Sequence, residues 1–142
     1  MKRFFLLTII LTVVVTGKVG AQEAASASKR ANQQYVLFES ERDKGTNVTA
    51  MYDYLMDSYE NFMKVVEAPD NSQYIGGAKN RLRALYPYLL NGAVYYSEQK
   101  QPSKALDFAA AYIDMPQLKL FRSELLPKDN RYASVVYYAA VA

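Results

Sequence analysis

Apolar residues recur at helical spacing through most of this chain. The clearest run is Val48, Tyr52, Leu55, Tyr59, Phe62 and Val66, spaced 4, 3, 4, 3 and 4, which lays one apolar stripe along five turns of helix. Thr46 or Asn47 is placed to cap its start, and Pro69 marks its exit. Upstream, Ala31, Tyr35 and Phe38 fall on one face of an earlier helix beginning at Arg30, and Gly45 is positioned to end it in a left-handed cap. Gly45 to Asn47 then form the whole turn, so these two helices lie antiparallel.

A second set of periodic positions follows the turn and cap cluster Asp70-Asn71-Ser72. Ile75, Ala78, Leu82, Leu85, Leu89, Ala93 and Tyr96 keep a three-or-four spacing straight through Pro87. Either the helix continues with a kink, losing the bond to the carbonyl of Arg83, or it breaks and Pro87 starts a new one. The unbroken phase favours the kink. Gly76-Gly77 make a weak first turn. A fourth helix runs from Pro102 or Ser103 to Ile113 or Asp114, with Pro102 suited to a first helical position and Met115-Pro116 as the stop. Its apolar residues lie on two faces, Ala105, Ala109 and Tyr112 on one, Leu106 and Ile113 on the other. Such a helix needs covering by more than its hairpin partner.

Between Gln117 and Asn130 the rhythm breaks. Pro127 and the polar run Lys128 to Arg131 are loop-like, while Leu118, Leu120, Phe121, Leu125 and Leu126 are apolar enough to lie on the hairpin. Tyr132 to Ala142 resumes helix, with only Ser134 and the tyrosine hydroxyls polar. A repeat array ends in a helix with a polar outer side, so the expectation is that a partner helix follows Ala142.

The segment Leu85–Pro116 organises the rest. Small residues (Gly92, Ala93, Ala105, Ala109) stand where its two helices meet. Leu89, Gly92, Ala93 and Tyr96 match the first helix of a tetratricopeptide-repeat hairpin, and Ala105, Ala109, Tyr112 and Pro116 match the second. The departures are Ala109, small where the family has an aromatic, and Pro116, about one place early. The chain resembles the N-terminal part of exported tetratricopeptide-repeat (TPR) proteins of the Bacteroidota type. Val135-Val136-Tyr137-Tyr138 echoes Ala93-Val94-Tyr95-Tyr96 at an offset of 42, longer than the usual repeat of about 34 residues, with the connector supplying the excess. The resemblance implies an all-α fold of about five helices, antiparallel hairpins stacked as a TPR-like array after a cleavable signal peptide.

The first 21 residues read as that signal. Lys2 and Arg3 precede a thirteen-residue apolar run, Phe4 to Thr16, and Val19-Gly20-Ala21 supplies a cleavage site. The run is shorter than the ~20 residues of a spanning helix, and no cysteine is present to carry a lipid. The protein is expected to be exported, periplasmic or outer-membrane-associated in a Gram-negative bacterium, and not membrane-spanning after cleavage. The chain thus divides into a signal peptide at 1–21, a flexible lead at 22–29, an N-terminal helical hairpin at 30–68, TPR-like helices at 72–116, a linker at 117–130 and the first helix of an incomplete further repeat at 131–142.

Composition narrows the chemistry. With 51% hydrophobic and 13% aromatic residues the chain is too apolar for disorder, and thirteen tyrosines without tryptophan suit half-buried helix interfaces. No cysteine or histidine is present, which removes disulfides, thiolate chemistry, imidazole bases and the common zinc sites. Taking Lys2, Arg3 and Lys18 from the 17 Lys and Arg leaves 14 against 14 Asp and Glu, so the mature part gives no reason to expect nucleic acid. Asp53, Asp57 and Glu60 share one face of the second helix, and Lys79, Arg81 and Arg83 cluster on the third; both read as solvated surface. Asn47-Val48-Thr49 matches a glycosylation acceptor, not expected to be used behind a bacterial-looking signal.

The function expected from these residues is a non-catalytic protein–protein interaction scaffold of the cell envelope, without cofactor, metal or catalytic residues. Its partner is a protein or peptide held in a groove between hairpins. Tyr88 and Tyr95, on a face adjacent to the packing residues, are candidate groove contacts, with packing an equal alternative. A second reading makes the chain the non-catalytic front of a longer envelope enzyme or cell-wall assembly protein.

Overall fold

The computed structural model describes the backbone of residues 2–122 and Tyr137, and side chains from Gln22 onward. The described residues form four α-helices, α1 (Lys2–Lys44), α2 (Val48–Glu67), α3 (Ile75–Glu98) and α4 (Pro102–Asp114), followed by two 3₁₀ turns, Met115–Gln117 and Lys119–Phe121. No strand occurs among them. None of these helices is long and apolar enough to cross a membrane.

The turn between α1 and α2 is built as its residues dictate. Gly45 takes φ +65, a left-handed conformation that costs glycine nothing, and donates its N–H to Glu41 O at 3.0 Å. Asn47 then caps α2, its side chain accepting the Ala50 N–H at 3.0 Å. Across the resulting hairpin, fully buried Ser58 donates its hydroxyl to the carbonyl of Ala31 at 2.9 Å, tying the two helices at mid-length.

Residues 22–29 are not a flexible lead. They continue α1 without a break, and Ala24 and Ala27 are buried. Alanine is the strongest helix former, and a methyl side chain allows close helix approach where a composition reading finds nothing large enough to bury.

α2 buries Tyr52, Leu55, Tyr59 and Phe62, the middle of its stripe, while the end positions Val48 and Val66 are more exposed. Beyond Ala68 the chain turns through Asp70 at φ 54. Asn71 donates to the carbonyls of Val65 and Val66 at 2.9 and 3.1 Å, satisfying acceptors left over at the helix end.

α3 is one helix with Pro87 inside it. Proline has no N–H for the carbonyl of Arg83, yet Leu82, Leu85, Leu89, Ala93 and Tyr96 are all buried, so burial on both sides of the proline keeps a single helical phase. α3 and α4 join through Gln99–Gln101, with Lys100 at φ 57 and the Gln101 N–H reaching back to Tyr96 O at 2.9 Å. Gly92 is buried against Phe108, and Tyr86 stacks on Tyr112 with ring centroids 4.4 Å apart and planes at 9°.

The residues at the seam of this hairpin, Leu89, Ala93, Tyr96, Ala105, Ala109 and Tyr112, are all buried. Gly92 is buried with them and Pro116 is half-buried. Past α4 the connector lies on the hairpin as far as it is described, with Met115 and Phe121 fully buried and Leu118 and Leu120 packed against the core. The rest of the linker and the helix read at 131–142 fall outside the described residues, except Tyr137, which is helical and exposed.

The two hairpins stack through aromatic rings. Tyr52 of α2 meets Tyr96 at 6.0 Å and Phe108 at 5.6 Å, Phe38 of α1 meets Tyr88 at 5.1 Å, and the Arg81 guanidinium lies over Tyr35 at 4.1 Å. One core therefore runs through all four helices.

Candidate interaction surface

An amphipathic helix packed on one face must leave the other outward, and on α2 that outward face carries Asp53, Met56, Asp57, Glu60 and Lys64. Each neighbour of α2 rises beside it. Against the middle of α1, a cleft of about 550 Å³ is bounded by Glu23, Ala27 and Arg30 on one side and Asp57, Glu60 and Asn61 on the other. Against α4, a cleft of about 280 Å³ lies between Asp53, Met56 and Glu60 and the facing Lys104, Asp107 and Phe108. A third, about 290 Å³, continues along α4 to Asp114 over Tyr59, Ala110 and Ala111. Glu60 borders all three; the second and third also share Met56 and Asp107 and make one trough between α2 and α4, over both hairpins, while the first lies on the α1 side of α2.

The electrostatics are one-sided. Six carboxylates border the three clefts (Glu23, Asp53, Asp57, Glu60, Asp107, Asp114) against three cations (Arg30, Lys64, Lys104). Arg30 is already committed to Asp57, at 2.6 Å. Asn61 donates its side-chain N–H groups to the Asp57 carbonyl and carboxylate at 2.8 and 2.6 Å. Among the described residues Glu23, Glu60 and Lys64 have no ion-pair partner, although Glu60 and Lys64 stand four apart. Burial raises the Tyr59 hydroxyl pKa to about 12, helped by Asp114, Glu67 and Glu60; burial and then Asp53 raise that of Tyr96 to about 12 as well. The Tyr96 hydroxyl sits 3.5 Å from Asp53 Oδ1. No group of three or more acidic side chains among the described residues is arranged to hold a metal ion.

Tyr88 and Tyr95, read as candidate groove contacts, lie elsewhere. The Tyr88 ring meets Phe38 edge-on and lies beneath the Arg42 guanidinium at 5.8 Å. Tyr95 leans on Tyr52 at 5.2 Å and shares a 3.0 Å hydrogen bond with the Thr49 hydroxyl. Their rings join the hairpins, because the first hairpin covers that face of α3, which the periodicity of α3 alone does not reveal. The basic cluster is dispersed as well: Arg81 stacks on Tyr35 and Arg83 donates to Asn80 Oδ1 at 3.1 Å.

The acidic face of α2 was legible in the sequence, but its walls were not. Glu23 lies in a stretch whose small, polar composition predicts a flexible lead, and Asp107 and Asp114 join α2 only through the stacking of α4. The one available cue was their shared seven-residue interval with Asp53 and Glu60, which puts each pair on one face of its helix. Comparison with family models, with curated proteins and with solved structures yields no match.

Proposed function

We propose that this chain is an exported, non-catalytic scaffold of the bacterial cell envelope that binds a protein or peptide through TPR-like stacked hairpins. The observation that carries this reading is the trough, which crosses both hairpins and so depends on their stacking, as recognition surfaces of helical arrays do. Its apolar floor at Met56, Tyr59 and Ala110 with charged walls suits an extended segment, with apolar contact below and polar contact at the sides. Export rests on the leader of residues 1–21, with cleavage after Ala21.

Site-specific photo-crosslinking in cells tests the binding reading. A crosslinker at Met56, in the trough, should join the chain to a partner that the same group at Val36, on the outward side of α1, does not capture. Equal labelling from both positions, or none from Met56, sinks it. The N-terminal sequence of the natural protein tests export separately, with Gln22 as the expected first residue.

A further inference from the structure

Among the described residues, the side of α1 turned away from α2 and α3 is uncovered. Val36 and Leu37 stand there 58% and 42% exposed, and with Gln33 and Gln34 they border a shallow apolar hollow. Gln34 differs from its neighbours. It is nine-tenths buried, at 9% exposure, yet its carbonyl oxygen accepts no hydrogen bond. A shielded acceptor left without a donor costs stability. The terminal torsion of a glutamine is broad, so a turn of the amide brings that oxygen to a donor arriving at the hollow.

The residues flanking the hollow indicate what covers it. Lys29, Val36 and Asp43 stand at seven-residue intervals, which puts them on one stripe along α1, and all three are exposed. The stripe has a cation at one end, an anion at the other and a valine midway. Laid against itself antiparallel about Val36, it brings Lys29 of each copy opposite Asp43 of the other, and Val36 and Leu37 against their own counterparts. Parallel pairing instead sets Lys29 on Lys29 and Asp43 on Asp43, which repel. Both charges can pair. Lys29 has no ion-pair partner among the described residues, and Asp43, its side chain 71% exposed, meets Arg42 through Oδ1 at 3.1 Å. The nearest other cations, Arg30 and Lys44, are held within the chain by Asp57 at 2.6 Å and Glu41 at 3.7 Å. Ser40 and Gln33, on the same face, bring a hydroxyl and an amide N–H to where Gln34 lacks a donor.

We propose that this face of α1 docks a second copy of the chain, the two α1 helices lying antiparallel about Val36 in a two-fold dimer. Each copy offers the other the same patch, so the contact closes at two. A seam made by one helix buries less than the ~800 Å² per partner of a standard interface, and the expected dissociation constant is on the order of 10–100 μM. The trough between α2 and α4 is built from other helices and takes no part in the seam.

Sedimentation equilibrium of the full chain tests this, with the dimer fraction rising between about 5 and about 500 μM. Val36→Glu should raise the dissociation constant about tenfold or more, since it sets two unpaired carboxylates at the axis. Lys29→Asp should raise it too, and Lys29→Asp/Asp43→Lys, which reverses both ends, should recover it. These residues are exposed, and an unchanged far-UV helical signal verifies the fold. The chain has no cysteine of its own, so disulfide trapping reads the register. Val36→Cys should couple to itself, and Lys29→Cys should couple to Asp43→Cys in a mixture faster than either couples to itself. Glu98→Cys, exposed on α3, gives the rate of chance encounters.

A chain that stays monomeric throughout, a Val36→Glu variant that associates as well as the natural sequence, or Val36→Cys coupling no faster than Glu98→Cys overturns the proposal. So does Lys29→Cys coupling to itself faster than to Asp43→Cys, the mark of a parallel pair. In cells, a crosslinker at Val36 should join the chain to its own copy, at twice the chain's mass. That product is separable from a partner joined at Met56, so the binding reading stands or falls independently.

Discussion

Gly92 lies directly against the ring of Phe108: a Cβ at residue 92 would meet Phe108 Cδ1 at 2.4 Å and Cε1 at 2.6 Å. This contact sets how closely α3 and α4 approach. In a helix interior Ala is preferred to Gly by about 1 kcal/mol, so glycine is retained here at the expense of local helix preference. Gly92→Ala is expected to destabilise by a net of about 1–3 kcal/mol through overpacking. Urea titration measures it, and Phe108→Leu in the same chain should recover part of the loss; a more stable Gly92→Ala chain would show that the ring moves aside freely.

Ser58 is the polar tie of the first hairpin. Its hydroxyl bonds to a carbonyl on α1, yet that carbonyl sits within a helix and keeps its own helical acceptor role. Ser58→Ala therefore removes a bond without stranding its partner, and the expected loss is about 0.5–1 kcal/mol. A loss several times larger in a denaturant melt would mean the site refills poorly around the missing oxygen.

Tyr59 and Tyr96 give the fold an alkaline limit. Both hydroxyls are held neutral to about pH 12 in the folded chain, whereas tyrosine in an unfolded chain gives up its proton near 10. Below pH 10 both hydroxyls keep their protons in either state and add no pH dependence to stability. Between about 10 and 12 only the unfolded chain loses them, so base favours unfolding. The melting temperature should fall across that interval, and Tyr59→Phe/Tyr96→Phe should flatten the fall.

Tyr88 and Tyr95 serve the core more than a ligand. Replacing both with Ala strips ring contacts with Phe38 and Tyr52 and the hydrogen bond to Thr49. The expected cost is about 3 kcal/mol for two half-buried rings. A double variant that melts normally would restore them as candidates for partner contact.

α2, α3, α4 and the turn at Gly45–Asn47 could be read from the sequence because each has a sustained periodic stripe or a residue whose backbone preference decides the matter. Periodicity also carried α3 across Pro87, since burial of Leu85 and Leu89 on either side outweighs one lost hydrogen bond. The helical stretch 22–29 was missed because Ala24, Ala25 and Ala27 lack the size that marks a buried face, although small residues are what close packing uses. The trough was missed for a different reason. It is a relation between helices, and no spacing within α2 says that Asp107 and Asp114 will stand across from Glu60.

The two short turns, Gly45–Asn47 and Gln99–Gln101, also shape how the chain reaches this structure. Each hairpin closes through contacts between residues near in sequence, the kind of topology that folds in microseconds to milliseconds. On a ribosome, where the N-terminal part emerges first, α1 and α2 can pair before α3 is made. Tyr52 would then be in place when Tyr96 and Phe108 arrive, making the first hairpin the template on which the second condenses.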